Sequence, residues 1–309
     1  MTTPLLRWGS EALWQELEPL LPGLSVEVVH SMASTNTALL DRAHVAADSR
    51  LDDGNVMVRR SVESGAFGRR GVDVQPCLLV AERQTAGRGR QGRHWKSALG
   101  ESLTFSLSLP LAIVDWSGLS LAVGVALCEA VGSAAGSVVG SESGGLRVGL
   151  KWPNDIWLMN GDEGRKLGGV LIETVAAGTR RLVVIGVGLN VLPFPVGDLS
   201  TGFACVEEID PGITAPALLA RVAPPLVRAI RQFEREGFAA FADRFAALDV
   251  LRGRAVHTTR SDAAEGIAQG VSAQGALLLR TADGLKTVLS GEVSIRLNPA
   301  SGPGAINPW

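Results

Sequence analysis

Apolar positions recur at two different periods along this chain, and the switches between them mark the elements. Over residues 11–21 apolar side chains return every three to four positions, which predicts a short amphipathic helix stopped at Pro22-Gly23. Residues 26–29 predict a strand. Ser34-Thr35-Asn36 then reads as a strand-to-helix junction, with Ser34 or Thr35 capping a helix that runs to about Ala47. Residues 78–83, opening on Leu78-Leu79-Val80-Ala81, predict a buried strand leading into the arginine-rich run. From 102 to 109 small polar and apolar residues alternate, the period of a strand. Residues 117–131 predict a helix, 150–158 a strand interrupted at Pro153, and 166–175 and 181–189 a pair of strands joined through 176–179. Residues 216–248 read as helical with a break near Gly237. Beyond Leu251-Arg252-Gly253, short strands alternate with turns at Ser261-Asp262, Gly270, Gly275, Asp283-Gly284 and Gly291, the pattern of a small all-β barrel.

This pattern predicts one large unit over residues 1–250, a small β unit over 251–300 and a loose tail over 301–309. Two stretches have no periodicity: 48–75 reads as a long loop or insertion, and 132–145, rich in Gly and Ser, as a flexible connection. No internal repeat is visible.

Composition narrows the class. With 46% hydrophobic and 19% charged residues the chain is of the folded, globular kind rather than disordered. A net charge of −2 argues against a protein that coats nucleic acid, so clustered arginines must serve a local purpose. Cys77, Cys128 and Cys205 form no CxxC pair and no disulfide framework, which points to a reducing, cytoplasmic setting. The four histidines are scattered, so no zinc site is indicated and no metal ligand is assigned. The first residues carry no basic-then-apolar leader, and the apolar stretch 119–131 is too short to cross a bilayer.

The chemistry concentrates in Gly87-Arg88-Gly89-Arg90-Gln91-Gly92-Arg93-His94-Trp95. Glycine lets backbone approach a ligand closely, and arginine presents a planar fork of donors that fits carboxylate or phosphate. Taken alone, the run is equally a solvated loop or a nucleic-acid-binding segment. As a ligand loop it has little of its own to pack on, and it is expected to order only with a counter-charge. Downstream lie Lys151-Trp152-Pro153-Asn154-Asp155, then Lys166-Leu167-Gly168-Gly169-Val170-Leu171-Ile172-Glu173, then Gly186-Val187-Gly188-Leu189-Asn190.

These motifs, with Ser34-Thr35-Asn36 and in this order, resemble the biotin protein ligases (biotin–acetyl-CoA-carboxylase ligases). The likeness is close from Ser34 to Asn190 and looser to about Leu297. It implies an α+β fold: a mixed-sheet, class II synthetase-like catalytic domain followed by a small SH3-like β barrel. Only 33 residues precede Ser34, so the sequence resembles the monofunctional type without a DNA-binding module. The implied activity joins biotin and ATP into biotinyl-5′-AMP with Mg²⁺, then transfers biotin to a lysine of an acyl-CoA carboxylase's biotin carboxyl carrier domain. Partners on this reading are biotin, ATP and that carrier, with neither DNA nor membrane, and the chain is a monomer or weak homodimer.

The resemblance also implies roles. Lys151, Arg88 and Arg90 are the catalytic cations. Biotin falls to Ser34, Thr35, Asn36, Gln84, Arg88, Gly89, Arg90, Lys151, Trp152, Gly168 and Gly186. The nucleotide falls to Arg93, Trp95, Asn154, Gly188 and Asn190. For the glycines, sheet packing is the competing reading; for Ser34-Thr35-Asn36, helix capping; for Trp95, anchoring of the loop. A lipoate–protein ligase of the same fold, a biotin-sensing repressor and a non-catalytic biotin binder are the rival functions.

Overall fold

The computed structural model describes residues 6–49, 75–113, 115–133, 145–177, 180–195, 202–259, 261–289 and 296–297. The expected insertions at 48–75 and 132–145 and the tail fall almost wholly outside the described residues.

In chain order the elements are α1 (Ser10–Leu17), β1 (Ser25–Met32), α2 (Thr35–Ser49), β2 (Cys77–Gln84), β3 (Gly87–Arg88), β4 (His94–Trp95), β5 (Ser102–Leu111) and α3 (Leu119–Gly132). There follow β6 (Leu146–Lys151), β7 (Asp155–Asn160), β8 (Glu163–Ala177), β9 (Arg180–Asn190), α4 (Ala215–Glu236) and α5 (Ala242–Leu248). The chain closes on β10 (Ala255–His257), β11 (Glu265–Val271), β12 (Leu277–Thr281), β13 (Gly284–Val288) and β14 (Arg296–Leu297).

Seven strands make the main sheet, in the order β1-β2-β5-β9-β8-β7-β6. The β1–β2 pair is parallel and the other pairs are antiparallel. Alternation decides which face is core. Leu103, Phe105, Leu107 and Leu109 of β5, with Val183, Ile185, Val187 and Leu189 of β9, turn to one side and join the main apolar cluster with α3 and α4. α3 is apolar and buried over nearly all its surface, Ser120 and Glu129 excepted, as suits a helix between a sheet and an outer helix. The opposite face of β5 carries Ser102, Thr104, Ser106 and Ser108, all buried. α2 covers that face, with Leu39 against Cys77, Leu79 and Val184, and Ala43 against Val175 and Leu182.

One expectation changes in detail. The strand expected over 150–158 is a hairpin: Lys151 pairs with Asp155, and Trp152-Pro153-Asn154 forms the turn between β6 and β7. The helix expected over 216–248 does break where predicted, because Gly237 takes φ 67° and stops α4.

The C-terminal strands pair antiparallel in the order β13-β12-β11-β10-β14, and among the described residues β13 and β14 are not paired to each other. This sheet is tied to the β6–β7 turn: the Trp152 indole N–H donates to the Gly275 carbonyl at 2.9 Å. Gly275 has φ 76°, and a Cβ there would stand 2.8 Å from the Gly118 Cα, so turn geometry and close approach both require glycine.

Asp249 lies where α5 hands over to the C-terminal strands, bridged to Leu150. Its Oδ1 accepts the Leu251 N–H at 2.8 Å, while Oδ2 is buried without a partner. Burial is the main reason its carboxyl is pushed up from 3.8 to about 6. The folded state therefore holds this proton to higher pH than the unfolded chain does. Stability is highest while the group is protonated in both states, and it falls as pH rises through the window from about 4 to about 6. Asp249→Asn should raise the melting temperature at pH 8 and change it little at pH 4. Thermal melts at the two pH values check this, and an equal effect at both would contradict it.

Candidate active site

Strand register lays a row of short side chains across the face under α2. Thr104 stands opposite Gly188, Gly188 opposite Gly169, Gly169 opposite Asp155, and Asp155 opposite Lys151. Ser106, Gly186 and Leu171 form the neighbouring row on the same face. The result is a low floor, with the start of α2 at one end and the β6–β7 turn at the other.

At the α2 end the hydrogen bonds have a fixed direction. Ser34 caps the helix, its Oγ accepting the Thr37 N–H at 3.4 Å. The Thr35 N–H donates to Gln84 Oε1 at 2.7 Å. Asn36 Oδ1 can only accept, so Ser106 donates to it, at 2.5 Å. With that single proton committed, the 2.6 Å contact between Thr35 and Ser106 must have Thr35 as donor. The Asn36 amide in turn donates to Glu173 Oε2 at 3.0 Å and to the Leu171 carbonyl at 3.4 Å. Glu173 also receives the Arg88 guanidinium at 2.9 Å. A Cβ at Gly186 would stand 2.3 Å from Asn36 Oδ1, so this glycine makes room for a side chain of the chain itself.

The arginine-rich segment is a short hairpin, with Gly87 opposite Trp95, Arg88 opposite His94, and the Gly89 N–H donating to the Arg93 carbonyl at 2.7 Å. The sequence predicts a loop with little of its own to pack on. Instead Glu173 receives Arg88, Asn154 receives Arg90, and Gly188 lies under Trp95, where a Cβ would stand 2.4 Å from the indole. Arg90 Nη1 donates to Asn154 Oδ1 at 3.1 Å, yet its Nη2 and the Trp95 Nε1 are buried with no partner. Donors left so cost on the order of 1–3 kcal/mol each unless a ligand meets them. Burial pulls the Arg90 guanidinium below the usual arginine value; Asp155 works against that shift and Arg93, exposed at the rim, adds to it.

Lys151 is 5% exposed, and its Nζ lies 4.4 Å from the centroid of the Trp157 ring. A desolvated ammonium on an indole face gains about 2 kcal/mol, enough to fix its position. Asp155, opposite it in register, binds Lys166 Nζ at 2.7 Å. Lys151, Lys166 and Arg90 are thus all tied to the segment 151–155.

The structure therefore gathers Ser34, Thr35, Asn36, Gln84, Arg88, Gly89 and Gly186 at one end of the floor. Arg90, Arg93, Trp95, Lys151, Asn154 and Gly188 lie toward the other. Three further candidates have packing duties. A Cβ on Gly168 would meet the Gly188 carbonyl and a Leu189 methyl, both at 2.6 Å. Asn190 donates to the carbonyls of Lys166 at 3.2 Å and Ala204 at 2.9 Å, pinning the segment after β9. Trp152, 1% exposed, holds Gly275. Sequence reasoning missed Ser106, Glu173 and the Asp155–Lys166 pair. The signal for Ser106 was present: the polar face of β5 carries only Ser and Thr, with no charge, which suits a buried polar face rather than a solvated one.

Comparison with known proteins bears on this geometry. The model of the biotin/lipoate A/B protein ligase family matches residues 74–190, and that of the biotin protein ligase C terminal domain matches residues 253–296. The bifunctional ligase/repressor BirA of Salmonella typhimurium is 33% identical over 268 residues, covering 83% of this chain and 78% of that protein. The biotin–[acetyl-CoA-carboxylase] ligase of Mycobacterium tuberculosis is 34% identical over 169 residues, 54% of each chain. The biotin protein ligase from Aquifex aeolicus, solved in complex with biotin and ATP, superposes with a TM-score of 0.63 at 25% identity, over 88% of this chain and 99% of that one. With its sheet register, its arginine hairpin and a relative matched along most of both lengths, the chain belongs to the biotin protein ligase family.

Proposed function

We propose that this protein is an ATP-dependent biotin–protein ligase that forms biotinyl-5′-AMP and then biotinylates a carrier-domain lysine. A free carboxylate does not acylate an amine at neutral pH, because an oxide would have to leave. Attack of the biotin carboxylate oxygen on the α-phosphorus of ATP expels pyrophosphate and leaves a mixed anhydride. Attack of the carrier lysine amine on its acyl carbon then expels AMP. The first step brings a carboxylate and a triphosphate together, so fixed cations are the main device that lowers its barrier.

The observation that carries the reading is the gathering of buried Lys151 and half-buried Arg90 at one turn, beside a floor of short side chains. The two buried, unpartnered donors, Arg90 Nη2 and Trp95 Nε1, suit a polar ligand between hairpin and floor, and the nucleotide fits that description. Ser34, Thr35, Asn36 and Gln84 supply neutral hydrogen-bonding groups suited to a ureido ring, and Asn36 also holds its neighbours through Ser106 and Glu173. Mg²⁺ enters with the ATP phosphates rather than in a protein cage. The carrier of an acetyl-CoA carboxylase is the acceptor, in line with the names of relatives. Of the two ligase types in the first matching family, the second match, to a biotin protein ligase C terminal domain, favours biotin over lipoate. A cytoplasmic setting suits the three cysteines, which are free and buried.

Exchange of labelled pyrophosphate into ATP tests the reading. Exchange that requires biotin supports it. Exchange that requires lipoate, or none with either acid, overturns it.

A further inference from the structure

Among the described residues the Arg88 guanidinium is held along one edge only. Nη1 donates to Thr37 Oγ1 at 3.3 Å and to Glu173 Oε2 at 3.4 Å, while Nη2 donates to Glu173 Oε1 at 2.9 Å. An arginine head has five N–H donors. Three are engaged here, and the two that remain, on Nε and Nη2, lie side by side in the plane of the head. That pair is the fork that matches the two oxygens of a carboxylate or phosphate. Glu173 is itself anchored, because Asn36 donates to its Oε2, and Asn36 is locked in turn by Ser106 and by the absence of a side chain at Gly186. Arg88 belongs to the hairpin, whereas Glu173, Asn36 and Ser106 belong to the sheet and to α2.

We infer that Glu173 is a positioning residue: through Arg88 it seats the arginine hairpin on the sheet, over the floor that takes the incoming acid. This rests on the ligase reading. The Arg88 side chain is about half exposed and that of Glu173 about one-quarter exposed, so the bare ion pair is worth little in stability. Its value lies in orientation, since a reacting acid misplaced by about 1 Å can lose as much as 10²-fold in rate. Nothing in the first step requires Glu173 to touch substrate or to exchange a proton.

The test is a double-mutant cycle on biotin-dependent pyrophosphate exchange, using the full chain. Glu173→Gln keeps size but replaces one accepting oxygen by an NH₂ that opposes the guanidinium. It should raise KM for biotin about tenfold, with kcat at saturating biotin and the melting temperature changed far less. In an Arg88→Ala background the same substitution should change KM no further, because its effect passes through Arg88. Glu173→Asp, which keeps the charge on a shorter arm, should recover part of the loss, and Thr37→Val should raise KM about twofold without risk to folding. Additive effects of Glu173→Gln and Arg88→Ala, or an unchanged KM in both Glu173→Gln and Thr37→Val, would overturn the inference. If Arg88→Ala itself left KM for biotin unchanged, the inference would fall too; if wild-type protein showed no biotin-dependent exchange, the ligase reading would fail instead.

Discussion

Lys151→Ala should lower biotin-dependent pyrophosphate exchange about 10²-fold or more, the scale for losing one fixed donor to a developing charge. Lys151 is suited to this because little about it can move. It ends β6, its Cα faces Asp155 across the hairpin, its Nζ lies on the Trp157 ring, and it is 5% exposed. An ammonium held in so dry a place exerts far more pull on phosphate than one in water. Lys151→Met, which keeps the stem and removes the charge, should lose as much activity while preserving packing. The pair of variants thereby separates chemistry from stability. Exchange within a few-fold of wild type in the Met variant would remove Lys151 from the mechanism.

Arg90→Ala is expected to rank next, with a loss of about 10²-fold in exchange and a larger rise in KM for ATP than for biotin. One of its terminal nitrogens is held by Asn154 and the other is buried without a partner, so half of the fork is placed and idle. Arg90→Lys should restore only a small part of the activity, because a point charge cannot satisfy both positions. Steady-state exchange at varied ATP and biotin checks this. Full activity in Arg90→Lys would show that charge alone matters there, and full activity in Arg90→Ala would exclude a role.

The large features of the fold were legible because they rest on local periodicity. The alternation of 102–109 gave β5, the helical run broken at Gly237 gave α4 and α5, and the strand pair 166–189 gave β8 and β9. The site was legible in its residue types but not in its internal partners. Glycine in a strand signals close approach without saying of what. At Gly186 and Gly188 the approaching groups are Asn36 and Trp95, side chains distant in sequence. The hairpin's arginines were read as wanting a counter-charge, and Glu173 supplies one to Arg88 from 85 positions away. No local pattern announces such a pairing; only the register of β8 and β9 over α2 brings it about. In the sequence Pro153 looks like an interruption because periodicity cannot distinguish a broken strand from a tight hairpin. The pairing of Lys151 with Asp155 decides it.

On the proposed reading, the vitamin's carboxylate and the nucleotide's α-phosphate are joined between the arginine hairpin and Lys151. Native mass spectrometry of the protein after incubation with biotin, ATP and Mg²⁺ tests it most directly. Wild type should retain a ligand of the mass of biotinyl-AMP, Lys151→Met should retain none, and adding a carboxylase carrier domain should discharge it with one biotin appearing on the carrier. A protein that retains only unreacted biotin, or retains lipoyl-AMP when offered both acids, would contradict it.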